Sequence, residues 1–190
     1  MSNKFLNSLE DLDSLNQSDF IKLSRRGIEK ENLRSNNSSI SLEPHPKVYG
    51  SSLTNSRITT DFSEALIELV TSPNKDLKSC LKELEDIVYF CLKNTDDDFW
   101  PASIPMSIED ESAIPIADNG NSNSGRLKKL YRVGLSQRYG SMMQTVSGIH
   151  YNFSFDDQLF EKWANREGET LREFKDKKYL SLVRNFRRTA

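Results

Sequence analysis

The chain has 190 residues, 36% of them hydrophobic and 28% charged, a formal net charge of −2 and a mean hydropathy of −0.64. That length buries a real core, while 26 Lys and Arg against 28 Asp and Glu, with no basic face, argue against nucleic acid as a partner. No apolar run is long enough to span a bilayer and the acidic, amphipathic start is unlike a signal peptide, so the expected compartment is the cytoplasm, without a membrane partner.

Apolar residues at Phe5, Leu6, Leu9 and Leu12, and then Phe20, Ile21 and Leu23 behind Ser18, predict two short helices. The period changes to two over 26–34, where Gly27 is followed by Glu29 and Glu31, and a strand sets both carboxylates on one face. Residues 36–41 read as polar loop, extended further by Pro44 and Pro46. Residues 64–71 admit two readings. A helix stacks Glu64 over Glu68, a repulsive pair, whereas a strand carries apolar residues on both faces as a buried sheet does; the strand is preferred, with Pro73 as its stop.

A helix over 76–93 presents Leu77, Cys80, Leu81, Leu84, Val88, Cys91 and Leu92 as one apolar face. Its two cysteines lie roughly 16 Å apart along the axis, too far to bridge, and read as small buried hydrophobes. Residues 96–125 turn irregular and close on the run 119–125 (NGNSNSG), which leads into a helix from about Arg126 to Arg138. Such a loop can cradle phosphate, but without a Gly-Lys-Ser/Thr ending a mobile connector is preferred. Residues 147–155 alternate cleanly, with Ile149, Tyr151, Phe153 and Phe155 on one face and His150, Asn152 and Ser154 on the other. A short helix from Asp156 to Trp163 follows. Thr170 and Glu173 then form a capping box for a last helix with Leu171, Phe174, Leu182, Val183 and Phe186 on its core face.

Five residues carry the chemistry: Glu29, Glu31, Asp61, Glu68 and His150. Each sits among Gly, Thr or apolar neighbours inside a strand-like segment, where a carboxylate is hidden only if a cation compensates it. Taken singly, the Glu29/Glu31 pair also fits a solvated strand edge and His150 a satisfied core histidine. Taken together, they fit several Mg²⁺ ions handling phosphate, since Mg²⁺ takes few protein carboxylates plus water and substrate oxygens. No His/Cys cluster suggests zinc, and no Ser or Cys elbow suggests a covalent nucleophile.

The segments 26–31 (RGIEKE) with Leu33 and Arg34, 59–68 (TTDFSEALIE), 123–126 (NSGR), 130–132 (LYR), 138–140 (RYG), 143–145 (MQT), 147–153 (SGIHYNF) and 183–186 (VRNF) resemble bacterial glutamate–cysteine ligases in order and spacing. The resemblance implies an α+β fold: a glutamine-synthetase-like curved antiparallel sheet forming a funnel, with outer helices. It implies ATP-dependent ligation of L-glutamate to L-cysteine through a γ-glutamyl phosphate, the first step of glutathione biosynthesis. Glu29, Glu31, Asp61, Glu68 and His150 would then hold Mg²⁺ (or Mn²⁺) and Mg-ATP, and Phe62, Tyr131, Leu135 and Gln144 would line the cysteine pocket. The family is more than twice this length, so residues 1–190 are expected to be the N-terminal part of a single catalytic domain, with the sheet incomplete. The missing part would supply a further acidic ligand and the arginines for glutamate and phosphate. Two alternatives stand beside this: a non-catalytic remnant keeping the metal half-site, and a related ligase with another acceptor such as 2-aminobutyrate.

Overall fold

The computed structural model describes residues 22–189. The helix expected around Phe5–Leu12 lies outside them; of the second, only Lys22 and Leu23 fall inside, and both are helical. The described residues form two compact units, one of residues 27–152 and one of residues 153–189 with residues 22–26.

The larger unit is built on strand β1 (Arg25–Asn36). Its alternation of Gly27, Glu29, Glu31 and Leu33 is that of a strand paired on both edges. Strand β4 (Leu66–Val70) lies antiparallel to β1, with Glu31 opposite Glu68 and Leu33 opposite Leu66, and β3 (Ile58–Thr60) pairs with the far edge of β4. Strand β2 (Ser39–Ile40) and β5 (Asp98–Phe99) also pair antiparallel with β1, and β6 (Ile149–Ser154) pairs with it too, giving a sheet of six strands among the described residues. The segment expected as polar loop at 36–41 is instead a hairpin. Asn37 and Ser38 both take positive φ, 50° and 63°, the twist that a two-residue turn needs to continue a strand pair.

Because opposed residues share a face, Ile58, Ile67 and Leu69 point one way and Glu31 and Glu68 the other. Helix α1 (Leu77–Lys93), capped where Asp76 accepts from the Ser79 amide at 2.7 Å, covers the apolar side. Cys80, Leu84 and Cys91 are its buried stripe, and Leu84 and Cys91 pack with Tyr49, Ile58, Ile67 and Leu69. The expected face was wider. Leu77, Leu81 and Leu92 stand open, because the short strands reach only one stripe of a five-turn helix.

A second, buried polar knot ties the loops to β1. Arg34 donates to Asp97 Oδ2 at 2.6 Å and to the carbonyls of Glu43 and Glu64 at 2.6 and 2.9 Å, and Ser41 Oγ donates to the same carboxylate oxygen at 2.7 Å. Nothing in the sequence pairs Arg34 with an aspartate 63 positions away.

Helix α2 (Asn123–Tyr139) begins three residues earlier than expected, with Ser122 accepting from the Gly125 amide at 3.1 Å. The run before it is docked at both ends instead of swinging as a connector. Asn119 is buried and donates to Ser52 Oγ at 2.8 Å, and a Cβ on Gly125 would stand 2.5 Å from the Asn119 carbonyl oxygen.

The smaller unit is a helical hairpin of α3 (Asp157–Glu167) and α4 (Leu171–Thr189) around Phe160, Ala164 and Phe174. The Thr170/Glu173 capping box forms reciprocally: each backbone amide donates to the other residue's side-chain oxygen at 3.3 Å. Of the core face expected on α4, Phe174 is buried and Leu182, Val183 and Phe186 are exposed. The face of Ile149, Tyr151 and Phe153 on β6 is exposed as well. Both stripes are apolar by sequence, but no described residue packs over them closely enough to bury them. No helix among the described residues is long and apolar enough to cross a membrane.

Two outcomes follow from this core. Truncating Asp97 to Ala strands the Arg34 guanidinium and is expected to cost about 3–5 kcal/mol, read from urea unfolding. Burial pushes the Tyr49 phenol and the Cys91 thiol both up to about 12, the phenol donating to the Cys91 carbonyl at 2.6 Å. The unfolded chain therefore ionises first, so stability is intact below about pH 9 and is lost from there toward pH 12. A Tm series across that range checks it, with Tyr49→Phe flattening the loss.

Candidate active site

The sheet face away from α1 gathers the acids. Glu29 and Glu31 project side by side from β1, and Glu68 from β4 stands directly opposite Glu31. Two like charges in that position repel. Glu31 is buried and takes part in two bonds with Gly148: its carboxylate accepts from the Gly148 amide at 2.6 Å and its own amide donates to the Gly148 carbonyl at 3.0 Å. This clasp seats the start of β6, so that His150 Nδ1 stands 3.3 Å from Glu29 Oε2 and Asn152 donates to Glu29 Oε1 at 2.7 Å. Space at Gly148 is tight. A Cβ on Gly148 would lie 3.1 Å from His150 Nε2 and 3.3 Å from Glu31 Oε2.

Glu68 is the half-buried centre of this group. Burial, then the charges of Asp61, Glu29 and Glu31, push its carboxyl above the ordinary range, and His150 pulls weakly the other way. All five residues singled out in the sequence are thus within electrostatic reach of one side chain. His150 and Asn152 are exposed, so the histidine is a surface group beside Glu29, and the reading of it as a satisfied core histidine falls away.

Asp61 and Glu68 also form one wall of a cleft of about 230 Å³. Phe62, Tyr131 and Leu135 line it, with Thr59, Thr60, Lys128 and Arg132. Glu29, Glu31 and His150 do not line this cleft, and neither does Gln144, which is half-buried in a short 3₁₀ turn (Met142–Thr145).

The grouping suits a hard divalent cation in donor type and charge: carboxylate oxygens, one imidazole and no thiolate. Among the described residues, however, no three His, Cys, Asp or Glu side chains stand close enough together to hold a metal as they are.

Sequence reasoning missed two residues. Arg132 sits on an otherwise polar helix yet is buried, donating to the Thr60 carbonyl at 3.0 Å and to Asn119 Oδ1. Glu64 accepts from the amides of His45 at 2.9 Å and Asp118 at 2.5 Å, tying two loops beside the cleft. Only long-range contact reveals either.

The fold places the chain with sheet-and-helix ligases and synthetases. It superposes on a glutamate–cysteine ligase of Francisella tularensis, solved in complex with AMP, with a TM-score of 0.75 and 43% identity over 78% of this chain and 30% of that one. A bifunctional glutathione synthetase of Pasteurella multocida matches with a TM-score of 0.81 and 29% identity over 94% of this chain and 23% of that one. The chain belongs to the glutamate–cysteine ligase family, whose model matches residues 9–190. Curated members of that name are 47% identical in Saccharophagus degradans and 45% in Shewanella amazonensis, each over 86% of this chain. The chain spans about a third of their length, 32% in each case.

The electrostatics yield a sign. A carboxyl raised by burial and like charge penalises folding increasingly as pH rises from the ordinary carboxylate range through its own raised one. In a chelating buffer Glu68→Gln is therefore expected to melt higher than the parent. Added Mg²⁺ should raise the parent's Tm more than the variant's; equal increments would count against Glu68 as a ligand.

Proposed function

We propose that the chain carries the cation and acceptor side of an ATP-dependent ligase that joins the side-chain carboxylate of L-glutamate to the amine of L-cysteine. The observation that carries this reading is the cross-strand pair Glu31/Glu68, with Glu29, Asp61 and His150 within electrostatic reach, in a chain of the glutamate–cysteine ligase family. A like-charge pair in the register of a sheet is costly, and a site that binds Mg²⁺ with nucleotide phosphate gives it a use.

Glu29, Glu31, Asp61, Glu68 and His150 are the residues that would hold Mg²⁺, or Mn²⁺ in its place. When bound, the ions neutralise charge on the transferred phosphoryl group. In the reaction the glutamate side-chain carboxylate takes the γ-phosphoryl group of ATP and ADP leaves. The cysteine amine then attacks the acyl carbon, the amide bond forms, phosphate departs and the amine gives up a proton. The chain's own residues orient and enclose. Phe62, Tyr131 and Leu135 offer an apolar and aromatic wall to a small thiol side chain, next to Asp61 and Glu68, which favour an ammonium or a cation. Gln144, in the 3₁₀ turn outside this cleft, is kept as a further proposed residue of the cysteine pocket. Residues 1–190 are read as one part of a single catalytic domain, working in the cytoplasm where ATP and both amino acids are present.

ADP release by the purified 190-residue chain, with glutamate and cysteine omitted in turn, tests the proposal. Release that requires both amino acids supports it for this chain alone. An Mg²⁺-dependent thermal shift without turnover favours the second reading, a half-site that needs further polypeptide; release with 2-aminobutyrate equal to cysteine favours a ligase with a broader acceptor.

A further inference from the structure

Arg132 is a positive side chain set inside the acidic site. Its guanidinium is buried, lines the cleft with Asp61 and Glu68, and reaches from α2 to the Thr60 carbonyl at 3.0 Å, to Asn119 Oδ1 and, more loosely, to the Ala117 carbonyl at 3.5 Å. All these acceptors are neutral. Among the described residues no carboxylate forms an ion pair with it, so its charge acts at a distance on the nearby acids. Burial draws the guanidinium down from its ordinary range, and Asp61, Glu64 and Glu68 hold it up. Arginine stays protonated at any physiological pH, so the charge is permanent.

We infer that Arg132 is the resident countercharge of the acidic site: it offsets the repulsion among Asp61 and Glu68 before a cation arrives, and it competes electrostatically with that cation once it is there. This rests on the reading of the site as a cation site, and deepens it by assigning a residue that sets its affinity. The neutral acceptors fix the guanidinium so that it cannot swing over to either carboxylate. Held by neutral acceptors, Arg132 compensates the carboxylates and leaves their oxygens free; Lys128, which lines the same cleft, is exposed, so solvent screens its charge.

The test separates charge from scaffold. Arg132→Met and Arg132→Gln are made in the parent chain and in Glu68→Gln and Asp61→Asn backgrounds, and unfolding is followed in EDTA and in MgCl₂. In EDTA, Arg132→Met is expected to lower Tm by about 5 °C or more in the parent and by half that or less in either acid-neutralised background. In MgCl₂, Arg132→Met is expected to bind Mg²⁺ about three- to tenfold more tightly than the parent, the opposite of what structural damage does. Equal Tm losses in all backgrounds, or Mg²⁺ affinity unchanged or weakened, overturn the inference. Should the Met variant not fold, the Gln variant, which keeps some donors without the charge, carries the same comparison. A parent chain that ignores Mg²⁺ sinks the cation reading on which the inference rests, whereas a parent that binds Mg²⁺ with an affinity Arg132→Met leaves unchanged sinks the countercharge alone.

Discussion

Two glutamates face each other across the β1/β4 pairing, and the rest of the larger unit is arranged around that fact. The register cannot be shifted to relieve them. A slip by one residue would turn Ile67 and Leu69 off the core they share with Leu84 and Cys91. The hydrophobic effect on one face of the sheet thus enforces electrostatic repulsion on the other. Two hydrogen bonds partly answer it: the amide of Gly148 on Glu31 and the side-chain amide of Asn152 on Glu29.

The buried Arg34 cluster has a different task. It gathers strand β1, the loop at 41–44, the turn at Glu64 and the segment ahead of β5 onto one guanidinium. Breaking one such pair costs much more than forming it contributes, so the cluster fixes arrangement more than it adds stability. Glu64, through its two amide partners, extends that order toward the cleft, and Arg132 completes it from the helix side.

Period and capping made much of this legible. Glu29 and Glu31 two apart, apolar residues on both faces around Glu68, the alternation from Ile149 to Ser154 and the Thr170/Glu173 box each report local geometry, and each appears where its pattern says. What stayed hidden depends on residues brought together from afar. The Asn37–Ser38 turn lacks glycine, the usual sign of positive φ. Arg34 and Arg132 look like ordinary surface charges until Asp97 and the Thr60 carbonyl are placed beside them. The width of the α1 face was overstated because sequence gives the stripe a helix offers, and the partner sheet decides how much of it is used.

The clasp between Glu31 and Gly148 joins residues 117 apart in the chain. Bringing such distant points together costs on the order of 4 kcal/mol in chain entropy, so this contact is made late in folding, when the intervening strands and helices already exist. The acidic group is therefore also the seam at which the larger unit closes. Any charge that compensates the acids there would also hold the seam shut. In such an arrangement the order of the acidic surface and the persistence of the folded unit depend on the same few atoms.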